Sequence, residues 1–319
     1  MKKKVSICLT FDVDEDAKSS FDNFSWQGIE KGIPLILSVL DDVFNDVKKA
    51  YTTWFVRCDP PLNMIYGSYS YLFERYQDVW NNLVDLKHEI GWHGHIYKMS
   101  ENNWVQETDD NMVNTQILNS LKSMTKAFKR PNVTRLGGLF GSNKCIETLD
   151  EYGIIADFSV LAGSKKNTNA IKFDFSSIKT NSLPYRFSDN EVIPVESGKF
   201  IEFPITSINI NKNSFFNWFL NAILWRINHG KNFGDGSGVP FINYEDDIVY
   251  DENMEVISIE LLNRYKLKSY KNFLHENDYM HFISHPKMLS SHNISNFKIL
   301  LNYYLKKYDI NFDWKKIQI

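Results

Sequence analysis

The chain alternates between apolar runs of strand length and longer amphipathic stretches. Val5–Phe11, "VSICLTF", is near-continuously apolar, the pattern of a strand buried on both faces. "GIPLILSVLDDVF" has helical spacing, with Ile33, Leu37 and Leu40 on one face and Pro34 in a first turn, where proline is tolerated. "KKAYTTWFV", rich in β-branched and aromatic residues, reads as a second strand. Residues 69–86 read as a helix, and "HEIGWH" as a third strand. "TDDNMVNTQILNSLKSMTKAF" is a long amphipathic helix entered at Thr108 or Asp109. Then come a short glycine-bearing strand, "TRLGGLF", the helix "NKCIETLDEYG" stopped at Gly153, and the strand "IIADFSV". The pattern loosens between residues 161 and 204, around Pro184, Pro194 and Pro204. It tightens again with the helices "SFFNWFLNAILWRINHG" and "SIELLNRYKLKSYKNFLHEND" and the strand "MHFISHP". Strands alternating with helices predict an α/β fold, a parallel sheet or barrel with helices outside. No internal repeat or low-complexity linker divides the chain, so a single domain over 1–319, with an irregular insertion around 161–204, is the expected organisation.

Composition narrows the function classes. The 319 residues carry a net charge of −3, with 43% hydrophobic and 24% charged residues, which is the usage of an ordinary globular protein. No basic stripe points to nucleic acid. No uninterrupted run approaches the ~18 apolar residues of a transmembrane segment, and Thr10 and Asp12 break the N-terminal run before it could serve as a signal peptide. Cys8, Cys58 and Cys145 are odd in number and far apart, neither a disulfide framework nor a zinc knuckle. Buried thiols and a cytoplasmic location are expected. "FFNWFLNAILW", residues 215–225, reads first as a core helix; the sharper alternative is a peripheral membrane or homo-oligomer contact.

The candidate chemistry sits where predicted strands end, the side on which parallel α/β folds build their active sites. Asp12 and Asp14 close the first strand at i and i+2 and point to the same face. Glu15 and Asp16 are expected to be the solvated remainder of that turn. His93 and His95 close the third strand with the same spacing, and His285, followed by Pro286, closes the last. Arg135 lies in "RLGG", although a lone arginine is more often a surface charge. Carboxylates with imidazoles suit a divalent transition metal, and three protein ligands leave a position open. His88, at the entry end of its strand, reads as structural. Trp26, Trp54, Tyr66, Tyr69, Trp92, Trp104 and Tyr185 lie near loops or strand ends. Core packing is the default for such aromatics; Trp92, beside His93, is the candidate for a substrate wall.

Taken in order, these segments resemble the NodB-type polysaccharide deacetylases, carbohydrate esterase family 4. "TFDVD" (Thr10–Asp14) is similar to the family's T-F-D-D-G or T-F-D-x-D opening, "KKAYTTWFV" to its K-A-T-F-F-V strand, and "KHEIGWHGHIY" to its G-H-E-I-G-N-H-x-x-x-H block. "RLGG", "GIIADFSV" and "FISHP" are similar to its later arginine, D-S-S-V and H-P motifs. The resemblance runs from about Val5 to Leu289. It implies an incomplete (β/α)7 barrel that hydrolyses N-acetyl groups on a cell-surface glycan or its amino-sugar precursor, with a divalent metal such as Zn2+ bound. In that scheme Asp12 is the general base, Asp14 and His93 bind the metal, Arg135 orients Asp12 and His285 is the general acid. The family's second metal histidine falls four residues after the first, where this chain has Tyr97. Three outcomes follow: His95 replaces it, Tyr97 or water fills the place, or the metal is lost. Tyr97 is otherwise a substrate-binding candidate. The spaced acids of "TFDVD" also occur in branches acting on small cyclic amides, so a cyclic-amide amidohydrolase and a non-catalytic glycan-binding relative are the alternatives.

Overall fold

In a computed structural model, the protein is described at residues 1–16, 25–101, 103–139, 142–167, 172–188, 192–209, 254–264 and 266–319. It divides into two compact units. Among the described residues, the first holds 1–53, 206–209 and 254–318 and the second holds 54–205 and 319. The stretch 215–225 lies outside the described residues. Among the described residues, no helix is long and apolar enough to cross a membrane.

The first unit is organised about the strand Lys3–Val13. Tyr279–Ser284 runs parallel to it, with Ser6 opposite Tyr279 and Phe11 opposite Ser284. Tyr308–Asn311 runs parallel to it from Lys3 opposite Tyr308. Ile7, Leu9 and Phe11 are buried on one face and Cys8 on the other, as the unbroken apolar run requires. The polar Thr10 is tolerated inside because its hydroxyl donates to the Phe282 carbonyl at 2.7 Å. The helix Ile33–Phe44 buries Ile36, Val39, Leu40 and Val43 and ends at Asn45 in the left-handed conformation. The helix Ser291–Lys307 is capped by the Ser290 hydroxyl, which accepts from the Asn293 N–H at 3.2 Å.

Helix was predicted over "SIELLNRYKLKSYKNFLHEND", but it spans only Leu267–Glu276. The preceding residues spend their backbone groups elsewhere. Ile257 N–H donates to Thr206 O, and the Asn293 side-chain amide donates to the carbonyls of Glu260 and Leu262 at 3.0 Å each. Those carbonyls are thereby engaged outside any helical ladder, and Ser258 and Glu260 are buried in the process.

A π-helical turn, Gly28–Gly32, precedes the helix Ile33–Phe44 and packs on the turn Pro286–Met288. The approach is close: a Cβ on Gly32 would lie 2.6 Å from the Pro286 carbonyl oxygen, and one on Gly28 would lie 2.7 Å from the Lys287 nitrogen. Both clashes are with backbone, so the chain would have to shift. Gly32→Ala is expected to destabilise the protein by ~1–3 kcal/mol, the usual range for overpacking. A urea midpoint equal to that of the wild type would show that the approach is looser than described.

The second unit contains the parallel strands Glu89–Gly94, Val133–Leu136, Ala156–Asp157 and Phe200–Glu202, with Tyr185–Phe187 antiparallel at the end. Thr52–Arg57, buried throughout, is the strand in which the chain passes from one unit to the other. The helix Asp110–Ala127 is capped by Asp109, which accepts from the Met112 N–H at 2.9 Å. The helix Asn143–Tyr152 stops at Gly153, where φ is 87°. The single helix expected over 69–86 is two, Tyr71–Arg75 and Gln77–Asp85, broken at Tyr76. The strand expected over "IIADFSV" shrinks to Ala156–Asp157 because the Glu202 carboxyl group, rather than a neighbouring strand, takes the Val160 N–H. Two hairpins were not anticipated: Tyr97–Ser100 with Asn103–Gln106, and Lys165–Asn167 with Lys172–Asp174. The three cysteines are buried thiols joined by no disulfide.

Candidate active site

In the first unit, the parallel register that sets Phe11 against Ser284 brings the residues after them together. Asp12 is buried and Asp14 half-buried. The Nε2 of His285 lies 3.9 Å from Asp12 Oδ2 and 3.7 Å from Asp14 Oδ2. Asp12 and Asp14 therefore share one end of these strands with His285, which is far from them in sequence. A fourth group, absent from the sequence reading, completes the arrangement. Glu260 is buried and its Oε1 lies 2.9 Å from His285 Nδ1. Its other oxygen accepts from the Ser284 hydroxyl and, at 3.3 Å, from the His285 N–H. The only trace of it in the sequence is an acid inside the apolar run "VISIELL".

Burial works against the charged form of both partners, and the pair overcomes it. For Glu260, the hydrogen bond and charge of His285, with help from Ser258 and Ser284, outweigh desolvation, and its pKa falls below the ordinary glutamate value. For His285, the hydrogen bond and charge of Glu260, then the charges of Asp12 and Asp14, outweigh desolvation, and its pKa rises above the ordinary histidine value. An ionised Glu260 can only accept, so Nδ1 carries a proton and Nε2 is the nitrogen that faces the two aspartates. Because the folded-state pKa of His285 is raised, the pairing contributes stability that is full below the unfolded value of about 6.5 and is lost as pH rises through the folded value. In Glu260→Gln the largest raising influence is gone. The His285 titration followed by NMR is then expected to move to lower pH; an unmoved titration would contradict the pairing.

Asp16 corrects an expectation. It is buried, not solvated, and its Oδ2 accepts from the Ser25 hydroxyl at 2.6 Å and the Gln27 N–H at 3.1 Å. The short carboxylate reaches both donors at once.

In the second unit, His93 lies in the strand Glu89–Gly94 in register with Arg135, and His95 directly follows the strand. His93 Nδ1 is 2.7 Å from the Arg135 carbonyl oxygen. A carbonyl can only accept, so Nδ1 is the protonated nitrogen and Nε2 is left with its lone pair. That Nε2 faces His95 Nε2 at 3.1 Å. Two nitrogens bound to one tetrahedral zinc at ~2.0–2.1 Å each would stand about 3.3 Å apart, so the pair is spaced as two ligands of one ion are. Gly137 of "RLGG" makes room: a Cβ there would lie 1.9 Å from the His95 ring. Tyr97 is half-buried and packs edge-on against His95, ring centres 5.2 Å apart.

Arg135 is fully buried, which sets aside the reading of a surface charge. Its Nε donates to the Phe158 carbonyl at 2.9 Å, and its guanidinium lies 4.6 Å over the Phe55 ring. Two buried acids from neighbouring strands, Asp157 and Glu202, lie in register nearby. Burial first, then the charge of Asp157, pushes the Glu202 carboxyl well above the carboxylate range; burial pushes Asp157 up as well, and the charge of Arg135 partly offsets both. Sequence reading missed Glu202 because it lies in the irregular stretch. His88 behaves as structural: it is buried, and desolvation lowers its pKa to about 4.

The substrate-wall assignment of Trp92 is corrected. Trp92 is 0% exposed and its indole N–H donates to the Cys58 carbonyl at 2.8 Å. The alternation of a strand turns it away from the face that carries His93, into the core. Trp26, Trp54 and Tyr185 are likewise buried.

No protein-family model matches the chain, and no curated protein matches it. Solved structures do. A proposed polysaccharide deacetylase from Mycobacterium smegmatis is 14% identical, with a TM-score of 0.55 over 97% of this chain and 87% of that one. Puue allantoinase is 12% identical, with a TM-score of 0.54 over 97% of this chain and 86% of that one. The fold is thus the α/β, (β/α) barrel-like fold that these two proteins share, in agreement with the sequence expectation.

Proposed function

We propose that the protein is a metal-dependent hydrolase that removes N-acetyl groups from a glycan or its amino-sugar precursor. The observation that carries this reading is the His93–His95 pair, its inner nitrogen fixed by the Arg135 carbonyl and its Nε2 atoms 3.1 Å apart. Asp14, His93 and His95 are proposed to hold one divalent cation, zinc foremost. One carboxylate and two imidazoles match the three-ligand set of catalytic zinc sites. When bound, such an ion supplies Lewis-acid polarisation of the amide carbonyl.

The remaining work falls to the chain's own residues. Asp12 takes the proton of the attacking water as general base, and Arg135 orients it. His285 gives the proton on Nε2 to the leaving amine as general acid. Glu260 holds the opposite nitrogen of that ring, so the proton to be donated faces the substrate side. The three buried thiols fit a reducing compartment, consistent with a cytoplasmic site of action.

A second reading, hydrolysis of a small cyclic amide, is favoured by the likeness to an allantoinase, nearly equal in extent to that of the proposed deacetylase. Assay of zinc-loaded protein on N-acetylated oligosaccharides and on cyclic amides separates the two. Acetate release, lost on chelation and restored by zinc, is the expected result. Ring opening of cyclic amides without acetate release selects the second reading, and glycan binding without turnover selects a non-catalytic relative.

A further inference from the structure

Lys287 follows His285 by two residues and has no role in the chemistry above. Its side chain is only 14% exposed, and its Nζ lies 3.7 Å from Asp14 Oδ2. A lysine usually carries its ammonium into water; this one is turned inward, beside the catalytic residues. Its backbone is held in place by Gly28, which approaches the Lys287 nitrogen and Cα so closely that no side chain fits there. The Met288 N–H bond to the His285 carbonyl closes the same turn. A separation of 3.7 Å is beyond a hydrogen bond, so the three ammonium donors are not spent on Asp14. In the reading of this site as an N-deacetylase, on which the inference rests, the Asp14 carboxylate serves the metal and Glu260 serves His285.

We infer that Lys287 is a specificity-determining residue that selects N-acetylated substrates bearing an anionic substituent, a carboxylate or a phosphate, near the amide. The ammonium and the anion form a charge-assisted hydrogen bond. A point-like ammonium does not discriminate between carboxylate and phosphate geometry, so the test includes both.

The experiment is calorimetric binding to zinc-loaded protein in an Asp12→Asn background, which prevents turnover. The probes are N-acetylglucosamine, its 6-phosphate and its 3-O-lactyl ether, which carries a carboxylate. Wild-type Lys287 is expected to bind at least one charged sugar about tenfold more tightly than the neutral one. Lys287→Gln is expected to abolish that ratio, and Lys287→Arg to keep most of it. The arm that shows the preference identifies the anion. An equal ratio in the wild type and Lys287→Gln, or no binding of either charged sugar, overturns the inference. A change in zinc affinity alone, with the ratio intact, also overturns it, since Lys287 would then act only on Asp14. Acetate release is measured separately with Asp12 intact. A Lys287-dependent ratio without acetate release would sink the deacetylase reading and leave the anion selectivity standing.

Discussion

Asp12→Asn is expected to lower acetate release by ~10²–10⁴-fold, the range that a positioned general base contributes. The substitution keeps the shape of a buried side chain at the end of the strand Lys3–Val13 and removes its ability to take a proton. Asp14, which is not asked to move a proton, keeps its carboxylate, so zinc content is expected to persist. Thermal unfolding of the variant serves as a control, because Asp12 also sits 3.9 Å from His285 and contributes to its raised pKa. A variant that folds, binds zinc and turns over at the wild-type rate would remove Asp12 from the base role.

The second large effect concerns the ligands. His95→Gln is expected to weaken zinc binding more than about 100-fold, beyond the 10–100-fold typical of losing a partner outside the ligand set. Tyr97→Phe is expected to leave zinc affinity within that smaller range, because its ring packs edge-on against His95. The two variants decide between the candidates for the third ligand. If Tyr97→Phe strips the metal and His95→Gln does not, the phenol is the ligand and the 3.1 Å imidazole pair is only a hydrogen bond.

The strands that carry the site were legible because they are buried and parallel. Such strands read as largely apolar runs, and "VSICLTF", "HEIGW" and "MHFIS" are followed directly by Asp12, His93 and His285. The pairs Asp12/Asp14 and His93/His95 followed from strand alternation alone. The same alternation argued against Trp92, which lies one residue from His93 and so faces the other way, into the core. Glu260 was hidden by its surroundings. "SIELLNRYKLKSYKNFL" carries a helical period throughout, but the side-chain amide of Asn293, some thirty residues on, and the Tyr270 hydroxyl take backbone carbonyls at its start. The break at Tyr76 and the hairpin Tyr97–Gln106 left little periodic signal, because neither segment is long enough for one to build up. Gly28 and Gly32 carry no motif; their use depends on where the turn Pro286–Met288 lies, which pattern does not encode.

The proposed activity requires Asp14 and the two histidines to serve a single ion. Anomalous diffraction from zinc-soaked crystals, recorded on both sides of the zinc absorption edge, reads this directly. One strong peak within ~2.0–2.2 Å of His93 Nε2, His95 Nε2 and an Asp14 carboxylate oxygen is the predicted result. A peak bound elsewhere, or none at these three side chains under saturating zinc, would contradict it.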